Sequence, residues 1–575
     1  MRKLVLLTLL GMFGTSIMPA HAVSLEVEGL RATMNNGRLQ VVFRQDASAE
    51  AVTLDGTNLI AGLSGTTGDP SKIRSAYLDY HSGGVKNFVP ERLEIIENTP
   101  SLVHIAYLSG ASGRLALEYH LIMRDGVNGL YSYVIAGNSG SSDVLVSELR
   151  NVYRFNAALM GRAFNGVRDE KPPLYGELEK MQKIQDETWA LPDGSIYSKY
   201  DLAGYLRSTP FWGVYGNGFG AWLIHAGKDY FSGDALKQDL LVHQDAIVLN
   251  YMTGAHLGTP DMIAPPGWSK FYGPWLLYFN HQDTSAQALR DDVLRQAREE
   301  TAEWPYRWVK DARYAPDRGE VKGRLQVADG RRMRVVLSSS RTEPFDLQTL
   351  GYLQDTLTDK DGSFDIKAVR PGHYILSAYA IEGSETGVLL QKDVVVNAGR
   401  NVFEDLKISA APPAIWSIGQ ADRSAAGFRF ADALRANHWQ HDVPATLDYR
   451  IGRSTATQDW YYAQTQPGQW NIHFDLKGDE GPCQLELAIA AASNSGMTRP
   501  TSPYLSVSIN GKTLAELRYE NDKAIYRHAL SSGQYHASKL EIPAGLIQPG
   551  ENTVTLELKG GAIMYDSIAL TRSKR

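Results

Sequence analysis

Short runs that alternate apolar and polar residues dominate the chain. Leu39-Gln40-Val41-Val42-Phe43-Arg44 and Leu102-Val103-His104-Ile105-Ala106-Tyr107 are two, set between clusters of Gly, Asn, Asp and Ser. A side-chain period of two belongs to strands with a buried face, and the clusters supply the turns. Over residues 23 to about 306 this pattern predicts one large β-sandwich rather than several helical units. A single helix stands out over about 284–303, with Ala288, Val293, Leu294 and Ala297 at helical spacing and Thr284 as its cap.

Pro316-Asp317-Arg318-Gly319 reads as a linker, after which Val321-Lys322-Gly323-Arg324-Leu325 opens a smaller sandwich. Its Asp359, Asp361 and Asp365 could ligate calcium, but an EF-hand loop needs a closing Glu and flanking helices. Neither is present, so a solvated hairpin turn is expected. Ala411-Pro412-Pro413 is a second linker, and runs such as Leu505-Ser506-Val507-Ser508-Ile509 and Thr553-Val554-Thr555-Leu556-Glu557-Leu558 predict a C-terminal jelly roll. The chain therefore divides into a leader over 1–22 and domains over 23–315, 316–410 and 411–575.

The leader has a positive start at Arg2 and Lys3, an apolar run from Leu4 to Met18, and the small-x-small site Ala20-His21-Ala22. These are the parts of a secretory signal peptide, and the run is short of the roughly twenty residues that cross a bilayer. A protein released from the membrane, outside the cell or in the periplasm, is expected.

Charge and composition narrow the function. With 58 basic and 64 acidic residues the net charge is −6, which removes the broad basic surface of a nucleic-acid binder. The one cysteine, Cys483, excludes an intramolecular disulfide and reads as a buried small hydrophobe. The 29 Tyr and 11 Trp suit stacking on sugars, although β cores use aromatics as well. Phosphate loops, dinucleotide fingerprints, zinc-protease helices and nucleophile elbows are missing.

Residues 148–256 are dense in Arg, Lys, His, Tyr and Trp. In Glu148-Leu149-Arg150-Asn151-Val152-Tyr153-Arg154 a strand puts Arg150 and Arg154 on one face, where a polyuronate could answer both charges; Glu148 is the internal alternative. The segment from Asp193-Gly194-Ser195 to Asp201 reads as a turn leading into a strand where Lys199 sits among aromatics and close to Asp201, a surface lysine that becomes a base if burial and neighbouring cations lower its pKa. His256 follows an apolar strand and a glycine-containing turn, a place for a general acid or base or for a structural hydrogen bond.

The order Arg-x-x-x-Arg, Tyr-Ser-Lys-Tyr-Asp and Leu-Asn-Tyr-Met-x-x-x-His, with Gly213-Val214-Tyr215-Gly216, Trp416-Ser417-Ile418-Gly419 and Met564-Tyr565-Asp566-Ser567-Ile568, resembles polysaccharide lyase family four, the rhamnogalacturonan lyases. The resemblance implies an all-β, multidomain fold: a galactose-mutarotase-like β-sandwich, a fibronectin type III-like sandwich and a carbohydrate-binding-module-like jelly roll. It implies Lys199 and His256 as the catalytic pair, and Arg150, Arg154, Tyr251 and Asp261 as substrate contacts, Asp261 standing where the family has Glu. It also implies a monomer that cleaves the pectin backbone by β-elimination. No metal or other cofactor is expected for catalysis, while a structural calcium in the C-terminal domain stays open. A glycoside hydrolase, a non-catalytic carbohydrate-binding protein and a mutarotase are the alternatives, since fold does not decide function.

Overall fold

The structure is a computed structural model that describes residues 22–65, 74–110, 114–254, 256–282, 285–411, 413–433, 442–478, 480–495 and 500–573. The leader up to His21, the expected cap Thr284 and Pro412 of the second linker lie outside the described residues. Among the described residues no helix is long and apolar enough to cross a membrane.

Strands from Ser24 to His281 build the first domain. Its largest sheet has nine strands, running from Asp169–Glu170 through Phe211–Gly216, Phe219–Ile224, Ser269–His281 and Gly129–Gly137 to Arg92–Thr99. Both faces of this sheet are covered. On Gly129–Gly137, Leu130, Val134 and Ala136 point into the sandwich core, whereas Tyr131, Tyr133 and Ile135 meet the helix on the other side. Alternation of side chains across the strand produces this division, and burial on both faces explains why the strand shows little polar alternation.

That helix, Ala286–Glu303, begins two residues after the expected start near 284. Ser285 caps it, accepting the Ala288 amide at 3.2 Å, and Leu289, Val293 and Ala297 form the buried stripe. Glu300, 2% exposed, accepts the hydroxyls of Tyr131 at 2.8 Å and Tyr306 at 2.6 Å, which satisfies the buried carboxyl.

Opposite lies a five-stranded sheet whose middle is Ile247–Gly254, Glu148–Arg154 and Tyr77–Ser82. Leu78, Tyr80, Leu149, Tyr153, Val248 and Met252 fill the sandwich core. Tyr77, Val152, Leu249 and Tyr251, on the other face, join one continuous apolar cluster with Trp416, Ile489 and Ile525 of the C-terminal domain. The third domain is thus packed directly on the sheet that carries Arg150 and Arg154.

The second domain pairs a three-stranded sheet, Ser363–Val369, Gly319–Val327 and Gly399–Ile408, with a four-stranded one over Val321, Leu325, Val335, Phe364 and Leu376. The expected hairpin at Asp359-Lys360-Asp361-Gly362 proves to be a crossover. Gln354–Leu357 belongs to the four-stranded sheet and Ser363–Val369 to the other. Gly362, at φ +84°, makes the crossing possible, because an added Cβ would sit 2.1 Å from the Leu325 carbonyl oxygen.

The third domain is two five-stranded sheets, with Cys483 buried between them as expected. Arg423 stands where all three domains meet. Its guanidinium carbon is 4.4 Å from the ring centres of Phe345, Tyr379 and Tyr535, and Nη1 is 3.6 Å from Asp234 and 3.7 Å from Asp346. A buried arginine so enclosed joins the domains by charge and ring stacking together.

Candidate active site

The contact zone between the first and third domains brings Arg150, Tyr251, Lys199 and His256 near one another. Strand register explains the centre of it: Arg150 lies opposite Tyr251 on one side and Asp79 on the other. The register shifts between Leu149 and Arg150, and Met252 is left without a partner. Such a bulge re-aims neighbouring side chains.

Arg150 is held from three directions. Nε and Nη2 donate to Asp79 Oδ2 at 3.0 and 2.8 Å, and Nη1 lies 2.5 Å from Glu148 Oε1 and donates to the Tyr251 hydroxyl. Burial opposes the charge, but Tyr251, Glu148 and Asp79 more than offset it and raise the pKa. The internal alternative for Arg150 is therefore realised: Glu148 answers it, together with an aspartate 71 residues away in sequence. Tyr251 is 1% exposed, and its hydroxyl also donates to Glu148 Oε1 at 3.1 Å. Its phenol is spent on the arginine clamp.

Asp79, His81 and Glu148 each bring one donor atom within 4.8 Å of the others, a spacing that suits a metal. His81 Nε2 is 3.0 Å from Asp79 Oδ1 and Nδ1 is 3.3 Å from Glu148 Oε2. The opposite oxygens of the same carboxylates hold Arg150, so a cation placed here would face a guanidinium at contact distance. The cluster reads as a clamp on Arg150.

Arg154 points the same way from the same strand. Its Nη1 donates to the Arg74 carbonyl at 3.1 Å and Nη2 to the Tyr77 hydroxyl at 3.0 Å. Burial lowers its pKa, and Arg150 and Arg74 add to the effect.

Lys199 is not in a strand. Strand Ile196–Ser198 ends one residue before it, and Lys199–Leu202 is a turn of 3₁₀ helix. Ser198 caps that turn, and Asp201 returns to the Ser198 amide at 3.1 Å, a reciprocal capping box. The half-buried Lys199 ammonium is 5.3 Å from the Tyr200 ring centre. Among the described residues it has no hydrogen-bond or ion-pair partner. Burial lowers its pKa, reinforced by Arg150 and Arg527 and resisted by Glu187 and Asp186.

His256 follows strand Ile247–Gly254. Nε2 is 4.0 Å from Glu148 Oε1 and Nδ1 is 4.0 Å from Asp239 Oδ1, neither within hydrogen-bond distance. Burial, Arg150, Lys199, Arg527 and Lys523 hold its pKa well below the ordinary value. Burial drives Asp239 the other way, well above the carboxylate range. Asp261 is exposed, ahead of strand Met262–Ala264, and makes no hydrogen bond or ion pair to this group.

Sequence reasoning missed Asp79, Asp186, Asp239 and Arg527. No local motif marks them; pairing of distant strands and docking of the third domain bring them in.

Known proteins resemble the chain along nearly its whole length. Residues 328–403 match the model of polysaccharide lyase family 4, domain II, and residues 414–570 that of domain III. The chain is 54% identical to the rhamnogalacturonate lyase of Dickeya dadantii over 569 residues, 99% of this chain and 97% of the relative. It is 25% identical to rhamnogalacturonate lyase B of Emericella nidulans, over 96% of this chain and 94% of that one. A galactose mutarotase-like protein from Lactobacillus casei is a fainter structural neighbour, with 11% identity, a TM-score of 0.26, and coverage of 44% of this chain and 99% of that one. Identity of more than half, sustained along nearly the whole of both chains, places this one beyond a shared motif: it belongs to polysaccharide lyase family 4.

Proposed function

We propose that the protein cleaves the rhamnose–galacturonate linkage of the rhamnogalacturonan backbone by β-elimination, with Lys199 as base and His256 as acid. One observation carries the reading. A lysine of lowered pKa with an unspent ammonium lies near a histidine and two arginines at the contact of the first and third domains, in a chain closely similar to a rhamnogalacturonate lyase.

The C5 proton of a galacturonosyl unit is weakly acidic, and its removal places negative charge on the adjacent carboxylate. Arg154 stands ready to stabilise that charge as an enolate-like intermediate, with Arg150, already paired with Asp79 and Glu148, on the same strand face. Lys199, whose pKa burial lowers toward the neutral form that a base requires, takes the proton. The C4–O4 bond then breaks, the C4–C5 double bond forms, and O4 leaves with a proton from His256. Burial and the neighbouring cations hold the His256 pKa well below its ordinary value. The incoming carboxylate counters those cations and favours the imidazolium that the step requires. Tyr251, buried, acts by fixing Arg150, and exposed Asp261 is available to the hydroxyls of the polymer.

Arg154 supplies the cationic charge, so the proposal routes no step through a cofactor. It includes export by the N-terminal leader and action as a monomer. The test is incubation of the mature protein with rhamnogalacturonan while ultraviolet absorbance of unsaturated uronate and new reducing ends are both followed. Absorbance and ends should rise together. Ends alone would make the protein a hydrolase, and binding with neither a carbohydrate-binding protein.

A further inference from the structure

Two consecutive residues of the third domain grip the two segments that carry Lys199 and His256. Arg527 sets Nε 2.9 Å and Nη2 2.7 Å from Asp186 Oδ2, the oxygen that also accepts the Tyr200 hydroxyl at 2.9 Å. Its remaining nitrogen, Nη1, donates to the main-chain carbonyl of His256 at 3.2 Å, and its guanidinium carbon is 5.1 Å from the Tyr200 ring centre. His528, in the left-handed region at φ 59°, places Nδ1 2.8 Å from Asp201 Oδ1, with the two side chains 7% and 1% exposed. Asp201 Oδ2 closes the capping box of the turn that begins at Lys199. Two residues beyond His256 the backbones of the two domains touch: a Cβ on Gly258 would lie 2.7 Å from the Gly533 carbonyl carbon.

We propose that the third domain is a constituent of the catalytic centre, with Arg527 and His528 as positioning residues that set His256 and Lys199 relative to each other. This rests on the reading that Lys199 and His256 perform the elimination. Apolar packing of Tyr77, Leu249 and Ile525 already joins the two domains. A guanidinium fork that divides its donors between Asp186 and the His256 carbonyl does something packing does not: it fixes direction at both catalytic segments.

The test uses the full-length chain, with Arg527→Ala, Arg527→Lys and Lys199→Ala compared for kcat, KM, pH–rate profile and melting. Arg527→Ala is expected to lower kcat about 10- to 100-fold with KM little changed, the signature of misplaced groups. Its pH–rate profile should move to higher pH, because a cation that lowers both Lys199 and His256 has been removed. Arg527→Lys, which keeps a charge beside Asp186 but not the fork, should lose about fivefold and keep the wild-type profile. A folded Arg527→Ala protein with kcat within about twofold of wild type and an unmoved profile overturns the proposal. If Arg527→Ala does not fold, wild-type kcat in Arg527→Lys overturns it. An inactive Lys199→Ala beside unaffected Arg527 variants would remove this inference alone, whereas an active Lys199→Ala would remove the functional reading beneath it.

Discussion

Lys199 and Lys270 are both removed from bulk water, and in both burial lowers the pKa, for Lys270 to about 7. Their surroundings differ. Lys270, on strand Ser269–His281 and 1% exposed, donates to the Thr349 carbonyl at 3.1 Å and has the Tyr272 and Tyr352 ring centres 4.8 and 5.6 Å away. It is a structural tie between the first and second domains. Lys199 sits half-buried at the contact of the first and third domains with its ammonium unspent. A lowered lysine pKa therefore does not mark a base by itself; access and an unoccupied nitrogen do.

His256 offers the severest way to break this contrast. His256→Ala should lower kcat by about 10²–10⁴ while circular dichroism stays that of wild type, if the Lys199 contact zone and not the Lys270 tie performs the chemistry. Near wild-type turnover would leave Lys199 without a partner. Arg150 comes next, because its removal exposes Asp79 and Glu148, 6% and 10% exposed, to each other without a countercharge. Arg150→Ala should cost about 3–5 kcal/mol in urea unfolding, together with most activity. A loss below about 1 kcal/mol would show that the clamp is not a buried ion cluster.

Lys270→Met sharpens the contrast from the other side. Loss of a buried ammonium offsets loss of the bond to Thr349, so stability at neutral pH should stay within about 2 kcal/mol and kcat should not change. A tenfold fall in kcat would erase the distinction between the two lysines. A further effect lies in pH dependence. Lys270 has a folded pKa near 7, below the unfolded value of about 10.4. Below that window it is charged in both states; within it, only the unfolded state holds the proton. Wild-type stability should therefore gain a rising contribution with pH across the window that Lys270→Met lacks, as the difference between their urea midpoints at successive pH values would show.

Much of the architecture was legible in the sequence, because strands that bury one or both faces announce themselves by period and by bounding turns. The turn at Lys199 was not read, although its signal was present: Ser198-Lys199-Tyr200-Asp201 has the cap spacing, overshadowed by aromatics that favour a strand. Asp359-Lys360-Asp361-Gly362 was read as a hairpin because its turn chemistry is the same whether the chain returns to its own sheet or crosses to the facing one. Of the site, the segments bearing Arg150, Lys199 and His256 could be singled out locally. Asp79 and Arg527 could not, since register at a bulge and docking of a domain more than 300 residues downstream create their contacts.

The central claim is that Lys199 is the base that starts the elimination. Its most direct test is the initial rate of unsaturated-uronate formation by purified Lys199→Ala on rhamnogalacturonan, at equal concentrations of folded protein. The account predicts a rate lower by at least about a thousandfold with melting unchanged; a rate within about tenfold of wild type would contradict it.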